Sequence, residues 1–250
     1  MTAWIFLRGL VREGGHWGTF VPAFENGVPD AQVHLLDLPG NGTRHAQHSP
    51  PHIDAMVDAC RRQLQAAGVA PPYALLALSM GGMVAVQWTQ RFPGEIDRQV
   101  LVNTSLRPFS PFYQRLQARN WATIAGLLLA RANGLQWERA IVRMTTTQPH
   151  PEVLPLWQSL RQSHPVSAAN ALRQLWAAAR FKASLRPPAV PTLLLASTQD
   201  ALVSVRCSRA IAKAWGVLLH EHPRAGHDLS LDDPQWVVRK TREWLQESAA

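Results

Sequence analysis

The 250-residue chain has only two cysteines, no long apolar run, and fewer acidic than basic residues. Each shortage excludes something. Cys60 and Cys207 form no C-x-x-C pair and suggest no disulfide framework, so they read as structural thiols. The longest apolar runs are the length of a strand, well short of the ~20 residues that cross a bilayer, so no membrane span is expected. No basic leader with a long apolar stretch precedes the first strand, Trp4 to Leu7, which points to the cytoplasm. Ten histidines are scattered, and only His220 and His222 lie close together, without the Cys or carboxylate spacing of a zinc site. Neither a metal nor a cofactor is implied. Repeats and low-complexity tracts are absent too. What is present, 46% hydrophobic and 17% charged residues, suits one large α/β domain with room for an insertion.

The organising stretch is Tyr73 to Val86, YALLALSMGGMVAV. Ala74 to Leu78 has the composition of a buried parallel strand, and Met80 onward reads as a helix opened by two glycines. Ser79 sits between them. A serine at such a junction is held on a tight turn with small neighbours, because strand and helix backbones nearly collide there. Gly81 and Gly82 supply that clearance, while Ala77 takes the place of the first glycine of G-x-S-x-G.

Around this stretch the chain alternates. Val33 to Leu38 is a second strand closed by Pro39, Gly40 and Gly42; Ile53 to Ala67 has helical spacing and stops at Gly68; Val100 to Asn103 is the next strand. β, α, β, α predicts an α/β fold, a mostly parallel sheet with helices on both faces. From Arg107 the alternation lapses into leucine- and tryptophan-rich helical patterns and resumes at Pro191 with the strand PTLLLAST, a helix from Cys207 to Trp215, a strand from Val217 to His220 and a closing helix from Asp232 to Glu247. The division expected is a core of 1–106 and 188–250 with a helical cap of 107–187.

A serine hydroxyl needs a base to become nucleophilic, and the base needs an orienting carboxylate. Asp200 follows the strand TLLLAST, at the carboxyl edge of the sheet where α/β active sites collect, and His227 lies in the loop RAGHDLS before the last helix. The chain order Ser79, Asp200, His227 is that of the α/β-hydrolase triad. Singly, each has an ordinary reading as a turn or loop residue; the joint placement is what points to catalysis.

On RGLVREGGHW, DLPGNGT, ALSMGG, STQDALVS and AGHDLSLDDP, the chain resembles the α/β-hydrolase-fold esterases and lyases over essentially its whole length. The resemblance implies that the backbone N–H groups of Leu10 and Met80 form an oxyanion hole, and that Asp37 and Trp17 are structural. It also marks a departure: the family normally has His-Gly where this chain has Arg8-Gly9. Arg8 either hydrogen-bonds loop carbonyls as that histidine would, or attracts an anionic substrate with help from Arg12.

The net charge of +8 is concentrated in one place. Residues 107–186 hold eleven basic and two acidic residues, a net +9, which leaves −1 for the remainder. Arg115 with Arg119, and Arg139 with Arg143, are four apart and would share helix faces, where like charges repel. Beside a plain solvated face, such a concentration suggests an acidic body outside the protein. An anionic membrane surface fits the charge, and nucleic acid is not expected because no recognition module is present. Within the family, esterases that cleave the methyl ester of a pimeloyl group on acyl carrier protein have an arginine-bearing cap, so the resemblance implies a small acyl ester substrate, presented by that acidic carrier. The alternatives are a lyase or C–C bond hydrolase acting on a small anionic metabolite of the menaquinone-synthesis type, and a binding module that has kept the fold without catalysis.

Overall fold

The computed structural model describes residues 1–129 and 134–247. Its centre is a six-stranded sheet made of β1 (Thr2–Leu7), β2 (Ala31–Leu36), β3 (Tyr73–Leu78), β4 (Ile96–Val102), β5 (Thr192–Ser197) and β6 (Leu218–His222). The spatial order is β2-β1-β3-β4-β5-β6 and every pairing is parallel. Parallel strands need covered faces, and the central ones show it: all six residues of β3 and of β5 are buried.

Alternate residues of each strand feed opposite layers. On one face Ile5, Leu7, Leu75, Ala77, Leu101 and Leu194 pack against α2 (Ile53–Ala66), α3 (Met80–Arg91) and α9 (Val205–Trp215). On the other, Trp4, Phe6, Leu76, Leu78, Val100 and Leu195 meet α1 (Phe20–Gly27) and α11 (Pro234–Glu247). From the sequence, Phe20 reads as the end of a loop and 21–27 carries no assignment. Pro22 there falls in the first turn of α1, where the missing N–H has no intrahelical acceptor to lose. The last helix begins as expected, with Pro234 in its first position and the Asp233 carboxylate accepting the Trp236 N–H. The single turn α10 (Leu229–Asp232) precedes it. β2 ends two residues early because Asp37 leaves the sheet to accept hydrogen bonds from the Gly14 and Thr43 N–H groups.

Between β4 and β5 run α4 (Phe112–Arg115), α5 (Trp121–Leu129), α6 (Gly134–Thr145), α7 (Val153–Ser163) and α8 (Ala168–Arg180). This segment leaves and returns side by side, through a bridge between Arg107 and Lys182. Trp137 and Trp157 are buried, whereas Trp121 and Trp176 are exposed. Gln174 of α8 ties it to the core: its carbonyl accepts the Val11 N–H, and its amide donates to Asn41 Oδ1 and Ser49 Oγ.

At the start of α3, backbone packs directly against backbone. A Cβ on Gly81 would lie 2.4 Å from the Leu7 carbonyl oxygen and 2.8 Å from that of Arg8. Both are backbone atoms and neither can swing away. Gly81→Ala is therefore expected to destabilise by about 1–3 kcal/mol through overpacking, read as a lower denaturant midpoint at unchanged slope. Gly94→Ala, at a site with nothing within 4 Å, is the control and is expected to change the midpoint little.

Candidate active site

Ser79 occupies the turn between β3 and α3 with φ 57° and ψ −118°, a conformation that a residue with a Cβ adopts only under strain. Its surroundings hold it there. The Ser79 N–H bonds the Val102 carbonyl, and the Ser79 carbonyl accepts from the Thr104 hydroxyl at 2.8 Å and the Gly82 N–H at 3.0 Å. Gly9 lies alongside, since a Cβ there would come within 3.0 Å of Ser79 Cβ. The Met80 N–H belongs to the first turn of α3, where amide hydrogens have no intrahelical acceptor. Leu10 follows Gly9 on the adjacent loop and lines the same cavity as Ser79 and Met80.

His227 and Asp200 come from the ends of the sheet nearest its β6 edge. His227 Nδ1 bonds Asp200 Oδ2 at 2.7 Å, and both side chains are buried. The other carboxylate oxygen of Asp200 accepts the N–H groups of Leu202 and Val203 at 2.7 and 2.9 Å. With the carboxylate accepting at Nδ1, the ring's basic nitrogen is Nε2, the arrangement a general base requires. His227 lines the cavity with Ser79.

Both loops are braced from two sides. Asn103, at positive φ just past β4, donates to the His227 and Gly226 carbonyls and accepts the Ser197 N–H. From the helical segment, Gln117 and Arg119 donate to the Asp200 carbonyl, and Asn120 and Arg119 to that of Ala201. The Asp228 N–H bonds the Thr145 carbonyl at the end of α6, while Asp232 accepts from Gly226 N–H, Thr147 N–H and His150. Among the described residues no group of three or more His, Cys, Asp or Glu could hold a metal ion.

Arg8 does not bond loop carbonyls, the first of the two roles expected from its sequence context. Its guanidinium forms a two-pronged ion pair with Asp228, Nη1 to Oδ1 at 3.2 Å and Nη2 to Oδ2, and lies over the Trp17 ring. The partner is a carboxylate, not a loop carbonyl, and it consumes the positive charge. Burial alone would raise the Asp228 carboxyl pKa, but the Arg8 charge and hydrogen bonds from Arg8 and Ser230 outweigh it and hold the pKa below the usual range. Arg12 is neutralised as well: Nη1 donates to Glu138 Oε2 at 2.7 Å, and the guanidinium lies over Trp157. Burial nonetheless leaves the Arg12 pKa lowered, and burial with the charges of Arg12 and Arg8 pushes His16 well down, so that ring is neutral.

The remaining arginines separate. Arg115 and Arg119 do not share a helix face, because α4 ends at Arg115 and Arg119 lies in the turn that follows. Arg139 and Arg143 do lie on one helix, α6, with both side chains exposed. Arg115 lines the cavity, whereas Arg119 grips the Asp200 loop. The cavity has a volume of about 390 Å³. Its wall is mainly apolar, including Met83, Leu116, Trp137, Ile141, Leu175 and Val203. Sequence reasoning missed Asn103, Glu138 and Asp228. For Asp228 a signal existed: an acidic residue beside His227 in a chain that carries Arg8 where a neutral side chain is usual.

Removing one partner of the Arg8–Asp228 pair strands a buried charge, so Arg8→Met and Asp228→Asn are each expected to cost about 3–5 kcal/mol, with strong coupling in the double variant. The native carboxyl titrates below its unfolded value, so this contribution is present above about pH 4 and is lost as pH falls through the lower native value. Denaturation midpoints between neutral and acid pH check it: the gap between wild type and Asp228→Asn should narrow only on the acid side.

Comparison with known proteins completes the picture. The α/β hydrolase fold family matches residues 5–234. A pimeloyl-[acyl-carrier protein] methyl ester esterase from Chromobacterium violaceum is 28% identical, over 94% of this chain and 92% of its own. A thermophilic esterase from Thermogutta terrifontis superposes with a TM-score of 0.78 at 22% identity, covering 99% of this chain and 90% of the other. A meta-cleavage product hydrolase from Pseudomonas fluorescens gives 0.79 at 17%, covering 99% and 92%. With the parallel sheet, the strained serine turn and the family match in hand, the chain belongs to the α/β hydrolase fold family and is a hydrolase.

Proposed function

We propose that this hydrolase cleaves carboxylic esters with an apolar acyl chain. Ser79 attacks the carbonyl, His227 takes its proton and passes it to the leaving alcohol, and Asp200 holds the imidazole and stabilises its cation. The Leu10 and Met80 amides bind the oxyanion, each donor contributing about 2.7–4 kcal/mol to the barrier difference. Water then releases the acyl group by the same steps in reverse order. Residues 107–187 act as a cap over a core of 1–106 and 188–250. One observation carries the reading: the 2.7 Å His227–Asp200 hydrogen bond belongs to a histidine that shares a largely apolar cavity with a strained serine.

The finer proposal is a pimeloyl-like methyl ester carried on acyl carrier protein. Support comes from the name of the Chromobacterium violaceum relative and from the exposed pair Arg139 and Arg143 on α6, which would meet an acidic carrier. The reading as a lyase on a small polyanion is weakened by the charge already consumed: Arg8 and Arg12 are paired to Asp228 and Glu138.

Rates with one medium-chain dicarboxylic methyl ester, free and attached to acyl carrier protein, test both levels. Ser79→Ala is expected to lower kcat by about 10⁴–10⁶-fold. The carrier-bound ester is expected to react faster, and high salt or Arg139→Glu with Arg143→Glu to remove that advantage, since exposed charge pairs are screened. Equal rates for both forms in low salt would sink the carrier proposal while leaving the esterase intact.

A further inference from the structure

Three guanidinium groups reach the cavity wall, and they are not equivalent. Arg8 has Asp228 and Arg12 has Glu138. Arg115, the last residue of α4, has no carboxylate partner among the described residues. Its Nη2 donates to the Ala178 carbonyl at 2.6 Å, and its Nε is buried with no acceptor. Burial lowers its pKa; the neighbouring Cys207 works against that shift, and Arg107, another cation, adds a smaller lowering. The cavity it lines is mainly apolar, with Phe112, Leu116, Ala179, Leu202 and Val203 among its lining residues.

A cation set in an apolar wall without a counter-ion is costly to keep charged. A ligand that brings an anionic oxygen offsets that cost, and a guanidinium already anchored at one nitrogen gives up little freedom in binding it. Ester chemistry at Ser79 places the other requirement: a neutral ester group at the near end. The two demands together describe one molecule, with an ester, an apolar chain and a carboxylate at the far end.

We propose that Arg115 is an anion-recognising subsite of this cavity, so that among free esters the protein prefers half-esters of straight-chain α,ω-dicarboxylic acids over their neutral diesters. The proposal rests on the esterase reading of Ser79. In the reaction the acyl carbon–alkoxy bond breaks, the alcohol leaves with a proton, and water supplies the oxygen of the new carboxylate. Arg115 takes no part in those bond changes; it holds the carboxylate that is already there.

The test compares kcat/KM for the monomethyl esters of a series of dicarboxylic acids with that for the neutral dimethyl esters, in wild type, Arg115→Gln and Arg115→Lys. Wild type should prefer the monoester at its best chain length. Arg115→Gln should lower the monoester-to-diester ratio by about 10–100-fold, chiefly through KM, the scale of one charge-assisted hydrogen bond, and lysine should restore part of it as a point charge. A wild-type preference for the diester, or a loss equal on both esters, overturns the proposal, the latter because it would make Arg115 a prop for Ala178 alone. If wild type turns over no ester, the esterase reading fails by itself. Calorimetric titration of Ser79→Ala with a dicarboxylic monoamide and with the methyl ester of that amide then decides the subsite. Tighter binding of the anion, lost on adding Arg115→Gln, keeps it; equal binding removes it.

Discussion

Position 81 has no room for a side chain, and much of the molecule follows from that. With hydrogen there, the first turn of α3 rests directly on the carbonyls of Leu7 and Arg8, which fixes the end of β1 against the turn that follows β3. Gly9 then falls beside Ser79, and Leu10 comes to the cavity next to Met80. Ser79 has to accept a positive φ to make this turn. The strain is sustained because β1, β3 and β4 are central strands, each paired on both sides, whose apolar residues are buried on both faces. The position of Ser79 and the packing of the core are thus one constraint seen from two sides.

Charge around the cavity obeys a second constraint. Two of its three arginines are tied to carboxylates from distant parts of the chain, and each pair joins pieces that must stay in register. Arg8 with Asp228 links the loop after β1 to the residue following His227. Arg12 with Glu138 links the same loop to α6. Arg161 adds a weaker contact to Glu138 at 3.6 Å, so that carboxylate, only 1% exposed, serves two cations. Buried pairs of this kind are poor sources of net stability but costly to break, which favours one arrangement of the loops over alternatives.

How much of this was legible in the sequence depended on whether the signal was local. Strand and helix periodicity, the serine flanked by Gly81 and Gly82, and the positions of Asp200 and His227 after apolar runs are all local patterns. Five of the six strands and the closing helix follow from them to within about two residues, the usual uncertainty of element ends. α1 did not, because its eight residues contain Pro22 and show too short a repeat. The charge pairs did not either. Arg8 and Asp228 are 220 positions apart, and no spacing rule connects them. The arginines of 107–186 were visible as an excess but not as individuals: Arg115 faces the cavity, Arg119 bonds a loop, Arg139 and Arg143 face outward, and only the fold sorts them.

The helical segment does more than cover the cavity. Its residues 117–120 hold the carbonyls of Asp200 and Ala201, and its residues 145–150 hold the His227 loop through Asp228, Arg224 and Asp232. The loops of Asp200 and His227 are therefore fastened to the same segment that walls the cavity. A rigid lift of the whole segment would have to break those bonds and disturb the His227–Asp200 geometry at the same time. α5 is different. It carries no charged residue, none of its described side chains is buried, and Ile124 and Leu127 line the cavity from it. Few buried contacts mean a low cost of local displacement. A displacement confined to α5 would leave both loops, and the His227–Asp200 hydrogen bond between them, in place.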